Sequence, residues 1–116
     1  MKICDLIDLL HARALTTIQN PKHEIYYACG ADLMSDVLRF SPGKGILITG
    51  LTNIHALRTA EMAGISCVLF VRGKLPPDDV VEEAEQESIV LLQTDRPMFE
   101  TCGLLYSGGV KSGEDE

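Results

Sequence analysis

No apolar run in this sequence approaches the roughly 18 residues needed to cross a membrane. The opening residues MKICDLIDLL carry acids where a signal peptide would be purely apolar. Neither membrane insertion nor secretion is expected, and the cytoplasm is the expected location. Positive charge is scarce as well: ten Lys and Arg against seventeen Asp and Glu leave a formal net charge of −7. That balance argues against a general affinity for nucleic acid or anionic lipid, and leaves only a local basic spot able to hold phosphate.

Paired cysteines are also missing. Cys4, Cys29, Cys67 and Cys102 form no CxxC, and three of them fall in apolar segments where a reduced thiol packs as a small hydrophobe. A metal site would have to recruit Cys29 with His23 or His55 across the fold, which nothing in the spacing supports. Neither a metal nor a cofactor is expected. A catalytic set is lacking too, since Ser35, Ser41 and Ser66 have no nearby histidine with an orienting acid. PGKG at Pro42 to Gly45 lacks what a phosphate-binding P-loop requires, namely a preceding strand, four residues between its glycines and Ser or Thr after the lysine. It reads as a turn into a strand.

What is present suffices for one globular domain: 46% hydrophobic residues and a mean hydropathy of +0.11 can bury a core without disulfides or metal. The organising stretch is Gly45 to Gly73, GILITGLTNIHALRTAEMAGISCVLFVRG. Ile46 to Ile48 and Cys67 to Val71 are apolar without alternation, as strands covered on both faces are. Between them Asn53 is placed to cap a helix and Gly64 to end it. Ala56, Leu57, Ala60, Ala63 and Gly64 give that helix a small-residue face. Strands so joined should run parallel with a right-handed crossover. The turn Gly50 to Asn53 then lies at a strand's carboxyl end and a helix's amino end, where amides and the dipole favour an anion. The same turn is equally read as a bend at Gly50 with Thr52 and Asn53 as caps.

Before this unit, Lys2 to His11 carries Ile3, Leu6, Ile7 and Leu10 on one side and predicts an amphipathic helix. Arg13 to Thr17 reads as a short strand, Gln19 to Lys22 as a polar turn that lets the chain reverse, and Glu24 to Cys29 as a second strand. Tyr26 and Tyr27 suit either the core or a partner surface. Gly30 to Phe40 predicts a helix with Leu33, Met34, Val37 and Leu38 inward and Asp32 as its cap.

After the central unit, Arg72, Gly73 and Lys74 close the second strand, where open α/β sheets bind ligands; a solvated basic turn is the alternative. Pro77 begins a helix with Val80, Val81 and Ala84 inward, and Glu82, Glu83, Glu85 and Glu87 form its wet face. Ser88 to Leu92 is the last strand. Thr94 or Asp95 should cap a final helix running to about Tyr106, with Phe99, Cys102 and Leu105 or Tyr106 inward. The predicted domain is 1–106, and SGGVKSGEDE at 107–116 is predicted to be a flexible acidic tail.

Several phrases resemble the DRTGG domain family and the N-terminal domain of HPr kinase/phosphorylase. They are ADLMSDVL at Ala31 to Leu38, PGKGILITG at Pro42 to Gly50, and CVLFVRGKLPPDDVVEEAEQESIVLLQT at Cys67 to Thr94. The name-giving pentapeptide is not contiguous here, because Asp95 and Arg96 are followed by Pro97. The resemblance implies a single layered α/β domain with a mostly parallel sheet flanked by helices. It also implies a non-catalytic regulatory module that stands alone or beside CBS domains and enzymes and often self-associates. The catalytic P-loop domain of HPr kinase has no counterpart in this sequence.

The combined expectation is a ligand-sensing interaction module, acting as a homodimer or docking onto a partner enzyme. An anionic metabolite or nucleotide would be held at Thr49, Gly50, Thr52, Asn53, Arg72, Gly73 and Thr94. A phosphotransfer accessory enzyme and a purely structural adaptor that makes contact near Tyr26 and Tyr27 are the alternatives.

Overall fold

The computed structural model describes residues 1–113. Its elements follow in the order α1 (Ile3–Leu10), β1 (Arg13–Ala14), β2 (Ala28–Gly30), α2 (Met34–Phe40), β3 (Ile46–Thr49), α3 (Ile54–Met62), β4 (Cys67–Phe70), α4 (Asp78–Gln86), β5 (Val90–Gln93) and α5 (Met98–Ser107). The five strands form one sheet in the order β1-β5-β4-β3-β2. β2, β3, β4 and β5 are parallel neighbours, and only β1 runs antiparallel, against β5. This is the α/β architecture expected, and β3 and β4 are buried at every position because helices cover both faces.

The two faces are covered by different helices. Ile46, Ile48, Cys67, Leu69 and Leu92 point to a core closed by Ile3, Leu6 and Leu10 of α1 and Leu105 of α5. The alternate residues Leu47, Val68, Phe70 and Leu91 meet Val37 of α2, Leu57 and Ala60 of α3, and Val80 and Ala84 of α4. The three crossover helices thus share one face, and α1 and α5, the first and last helices, share the other. No helix among the described residues is long and apolar enough to cross a membrane.

Local chemistry explains the boundaries. Asn53 caps α3, its side-chain oxygen accepting from the Ala56 amide at 3.1 Å. Gly64 then takes φ +74, and a Cβ there would lie 2.7 Å from the Gly43 carbonyl oxygen. Gly45 approaches the Tyr27 carbonyl so closely at the start of β3 that no side chain fits. PGKG is therefore a turn whose glycines admit close backbone contact.

Several expectations need correction. The chain does reverse between β1 and β2, as the turn at Gln19 to Lys22 predicts, but the two strands do not pair, because they occupy opposite edges of the sheet. The backbone at Ile25 is taken by the chain start instead, with the Ile25 amide donating to Met1 O at 2.7 Å and the Met1 ammonium donating to Ile25 O at 2.9 Å. Only Ala28–Gly30 is left to enter the sheet. Leu33 and Leu38 are exposed and Val37 is the buried residue of α2. Neither Thr94 nor Asp95 caps α5, whose N-cap position is Pro97 without a side-chain bond. Phe99 is 90% exposed, while Thr101 and Leu105 face inward.

Within the segment expected as a tail, Val110 and Lys111 make defined contacts with the domain. Gly109 at φ +105 turns the chain so that Val110 is buried against the α1 and α5 core. Lys111 then pairs with the β2 lead-in, its amide donating to Tyr26 O at 2.9 Å and its carbonyl accepting from the Ala28 amide at 2.8 Å. Residues 114–116, which hold the acids of the expected tail, lie outside the described residues.

Candidate functional site at the carboxyl rim of the sheet

Because β3, β4 and β5 are parallel, the loops that follow them gather along one rim. An ideal Cβ on Gly50 would stand 3.6 Å from the Lys74 ammonium, so the bends at Gly50 and Arg72 are neighbours. The loop after β4 leads to α4 on one face and the loop after β5 to α5 on the other. Such a divergence opens a crevice in many parallel sheets. Here the backbone laces it shut. The Arg72 amide donates to Arg96 O and the Gly73 amide to Thr94 O, both at 2.9 Å. Arg72 adopts φ +61, a left-handed conformation costly for a residue with a Cβ, and its side chain is exposed.

The amides at the Gly50 bend are occupied too. Asp32, which follows β2 and so stands on the same rim, brings one carboxylate oxygen to the Gly50 amide at 2.8 Å and to the Thr49 hydroxyl at 3.0 Å. Thr49 Oγ in turn accepts from the Leu51 amide at 3.1 Å. The chain has supplied its own anion at the position where the strand–turn–helix pattern favours one. Sequence reasoning assigned Asp32 to the α2 cap. The available signal was its place directly after a strand of the same parallel set.

The other expected residues divide by accessibility. Thr94 is 1% exposed, and its hydroxyl donates to Leu10 O at 2.8 Å, tying β5 to the end of α1. It faces the core and is unavailable to a ligand. Thr49 and Gly50 are buried beneath Asp32, and the Gly73 amide is consumed by Thr94. Thr52 and Asn53 remain at the surface with Arg72 and Lys74. Arg96 stands beside them, paired with Glu100 at 2.9 Å, while its Nε is buried without a partner among the described residues.

The cysteines offer no poised nucleophile. Burial pushes the Cys67 thiol up to about 12 and also raises Cys29 and Cys102, with Asp36 adding to the effect at Cys29. The acidic face of α4 meets α3 at Glu61, Glu83 and Glu87, whose nearest carboxylate oxygens lie within 4.8 Å of one another. Desolvation, then Glu87 and Glu83, raises the Glu61 carboxyl above its ordinary value.

No protein-family model matches the chain, and no curated protein sequence does. Its fold is DRTGG-domain-like. The likeness is to a solved structure of the CBS and DRTGG domains from the regulatory region of Clostridium perfringens pyrophosphatase, complexed with its activator diadenosine tetraphosphate. The TM-score is 0.71 at 19% identity, over 90% of this chain and 45% of that one. The chain thus spans less than half the length of the structure it resembles.

Proposed function

We propose that this chain is a non-catalytic regulatory module that senses a nucleotide or another anionic metabolite at the carboxyl rim of its sheet. The observation that carries this reading is the grouping of Arg72 and Lys74 with Thr52 and Asn53 on adjacent rim loops, in a chain whose net charge is −7. Arg72 and Lys74 bring positive charge to loops that also carry Asp32 and Asp95, and in an acidic chain this is the rim where an anion would find a counter-charge. The likeness to a regulatory region complexed with a nucleotide activator supports it.

In this reading Thr52, Asn53, Arg72 and Lys74 contact the ligand. Thr49, Gly50, Gly73 and Thr94 fix the loops that present them. Recognition then runs through side chains, because the rim amides at Gly50 and Gly73 are already bonded within the chain. Titration of the 15N-labelled protein with diadenosine tetraphosphate, ATP and inorganic phosphate tests the proposal. Saturable shifts at Thr52, Asn53 and Arg72 to Lys74 are expected, and unchanged amides there up to millimolar ligand overturn it.

A second reading, self-association or docking on a partner enzyme, rests on the exposed apolar side chains Leu33, Leu38 and Phe40 of and beside α2 together with Tyr26, which is 61% exposed. Sedimentation of the wild type and of Tyr26→Asp tests it. A monomer in both cases removes self-association and leaves only the docking form of the reading.

A further inference from the structure

The amino ends of the parallel strands, at the rim opposite Arg72, border an open cleft of about 190 Å³ whose polar lining is largely exposed. Its floor is aliphatic, formed by Ile3 at the start of α1 and by Ile89 and Val90 at the start of β5. Its mouth is the loop that follows β1, contributing Gln19, Asn20 and His23, and facing them are Ser66 and Ser88. We propose that this cleft binds the base of a nucleoside, an uncharged nitrogen heterocycle carrying both hydrogen-bond donors and acceptors.

The mouth is fixed before any ligand arrives. On one side Thr17 donates through its amide and its hydroxyl to the two oxygens of Glu85 on α4, at 2.9 and 3.0 Å. On the other, the carbonyls of Pro21 and His23 accept from the first amides of α1, Cys4 and Ile3, at 2.9 and 3.0 Å. Asn20 closes the turn between, its carbonyl accepting from the His23 amide and its side-chain oxygen from the Lys22 amide. The rim backbone so held needs no reordering on binding, and the entropy cost falls on the exposed side chains of Gln19 and His23.

The polar groups facing the cleft are unspent. The side chains of Gln19, His23, Ser66 and Ser88 make no hydrogen bond to any other described residue, and the Asn20 amide nitrogen is likewise uncommitted. Carboxamides match the paired donor and acceptor edge of a base, and an aliphatic floor suits the face of a planar ring. No lysine or arginine lines the cleft, and its one carboxylate, Glu85, is already shared with Thr17. A phosphate has no counter-charge there. The volume falls below the roughly 300–1,000 Å³ of pockets for drug-sized ligands, which limits the occupant to about one ring system.

The test is an amide-shift titration of the full chain with adenosine and with cytidine, using glucose and inorganic phosphate as comparators. Saturable shifts at Gln19, Asn20, His23, Ser66 and Ser88 are expected with at least one nucleoside. Affinity should be roughly fivefold weaker in Gln19→Ala, the size of one neutral hydrogen bond. His23→Ala, with an unchanged melting curve, provides a second variant that should weaken binding. The proposal is overturned by no response to either nucleoside, by shifts equally strong in both variants, by a response to glucose alone, or by phosphate moving these amides. Amides at the Arg72 rim report separately, so failure here leaves the carboxyl-rim reading in place, and the converse holds.

Discussion

Replacing Asp32 by alanine removes the acceptor that two rim groups share. The Gly50 amide and the Thr49 hydroxyl lose partners at 2.8 and 3.0 Å, and both residues are buried, so water reaches them poorly. Hydrogen bonds to a charged acceptor contribute roughly 1.5–3 kcal/mol each. Asp32 itself is exposed, and an exposed carboxylate sits at or below the low end of that range because solvent screens it. The combined loss should be about 2 kcal/mol, or roughly 6–12 °C in Tm for a domain of this size. Asp32→Asn keeps an acceptor without the charge and should lose about half as much. Because the vacated amide lies at a strand end before α3, sulfate should raise the Tm of Asp32→Ala more than that of the wild type. Calorimetry with and without sulfate provides the check. A variant that melts with the wild type, or a sulfate response equal in both, would refute the view that Asp32 stands in for an anion.

Arg72→Gly separates strain from recognition: relief of the left-handed conformation at φ +61 should leave the fold as stable or up to about 1 kcal/mol more stable, while nucleotide-induced shifts at the rim disappear. Thr94→Val should do the reverse, costing about 1–3 kcal/mol because Leu10 O loses its buried donor, with the ligand response intact. Glu61 holds its proton more tightly in the folded state than its ordinary value of 4.5 implies, so its share of stability is lost as pH rises through the window above 4.5. Glu61→Gln should therefore stabilise the protein at neutral pH and have no effect well below 4.5, as chemical denaturation at both pH values would show. Cys67, fully buried with its thiol pushed up to about 12, should react with a thiol reagent only as fast as the protein unfolds; labelling at the rate of an exposed cysteine contradicts its placement.

The parallel core was legible because its signals are local and redundant. Uninterrupted apolar runs at Ile46, Cys67 and Ile89 state burial on both faces, and Asn53 and Gly64 mark the helix between two of them. The neighbouring bends at Gly50 and Arg72 follow from that parallelism. What stayed hidden depends on partners distant in sequence. Nothing near Arg13 says that it will pair with Gln93, and nothing near Thr94 says that Leu10 O needs a donor. Asp32 carries an N-cap signature, yet a backbone amide eighteen residues away competes for its oxygen and wins. Residues 108–111 looked too glycine-rich to order, yet Val110 is buried and Lys111 bonds the open backbone groups at the β2 edge, two contacts that no nearby residue announces.

Met1 and Lys111 grip adjacent stretches of the same lead-in, at Ile25 and at Tyr26 to Ala28. A polypeptide threading this domain therefore enters and leaves at almost one point. Such a unit can be spliced into a surface loop of a larger host like a bead hung on a closed clasp, with no need to pry the host's own strands apart.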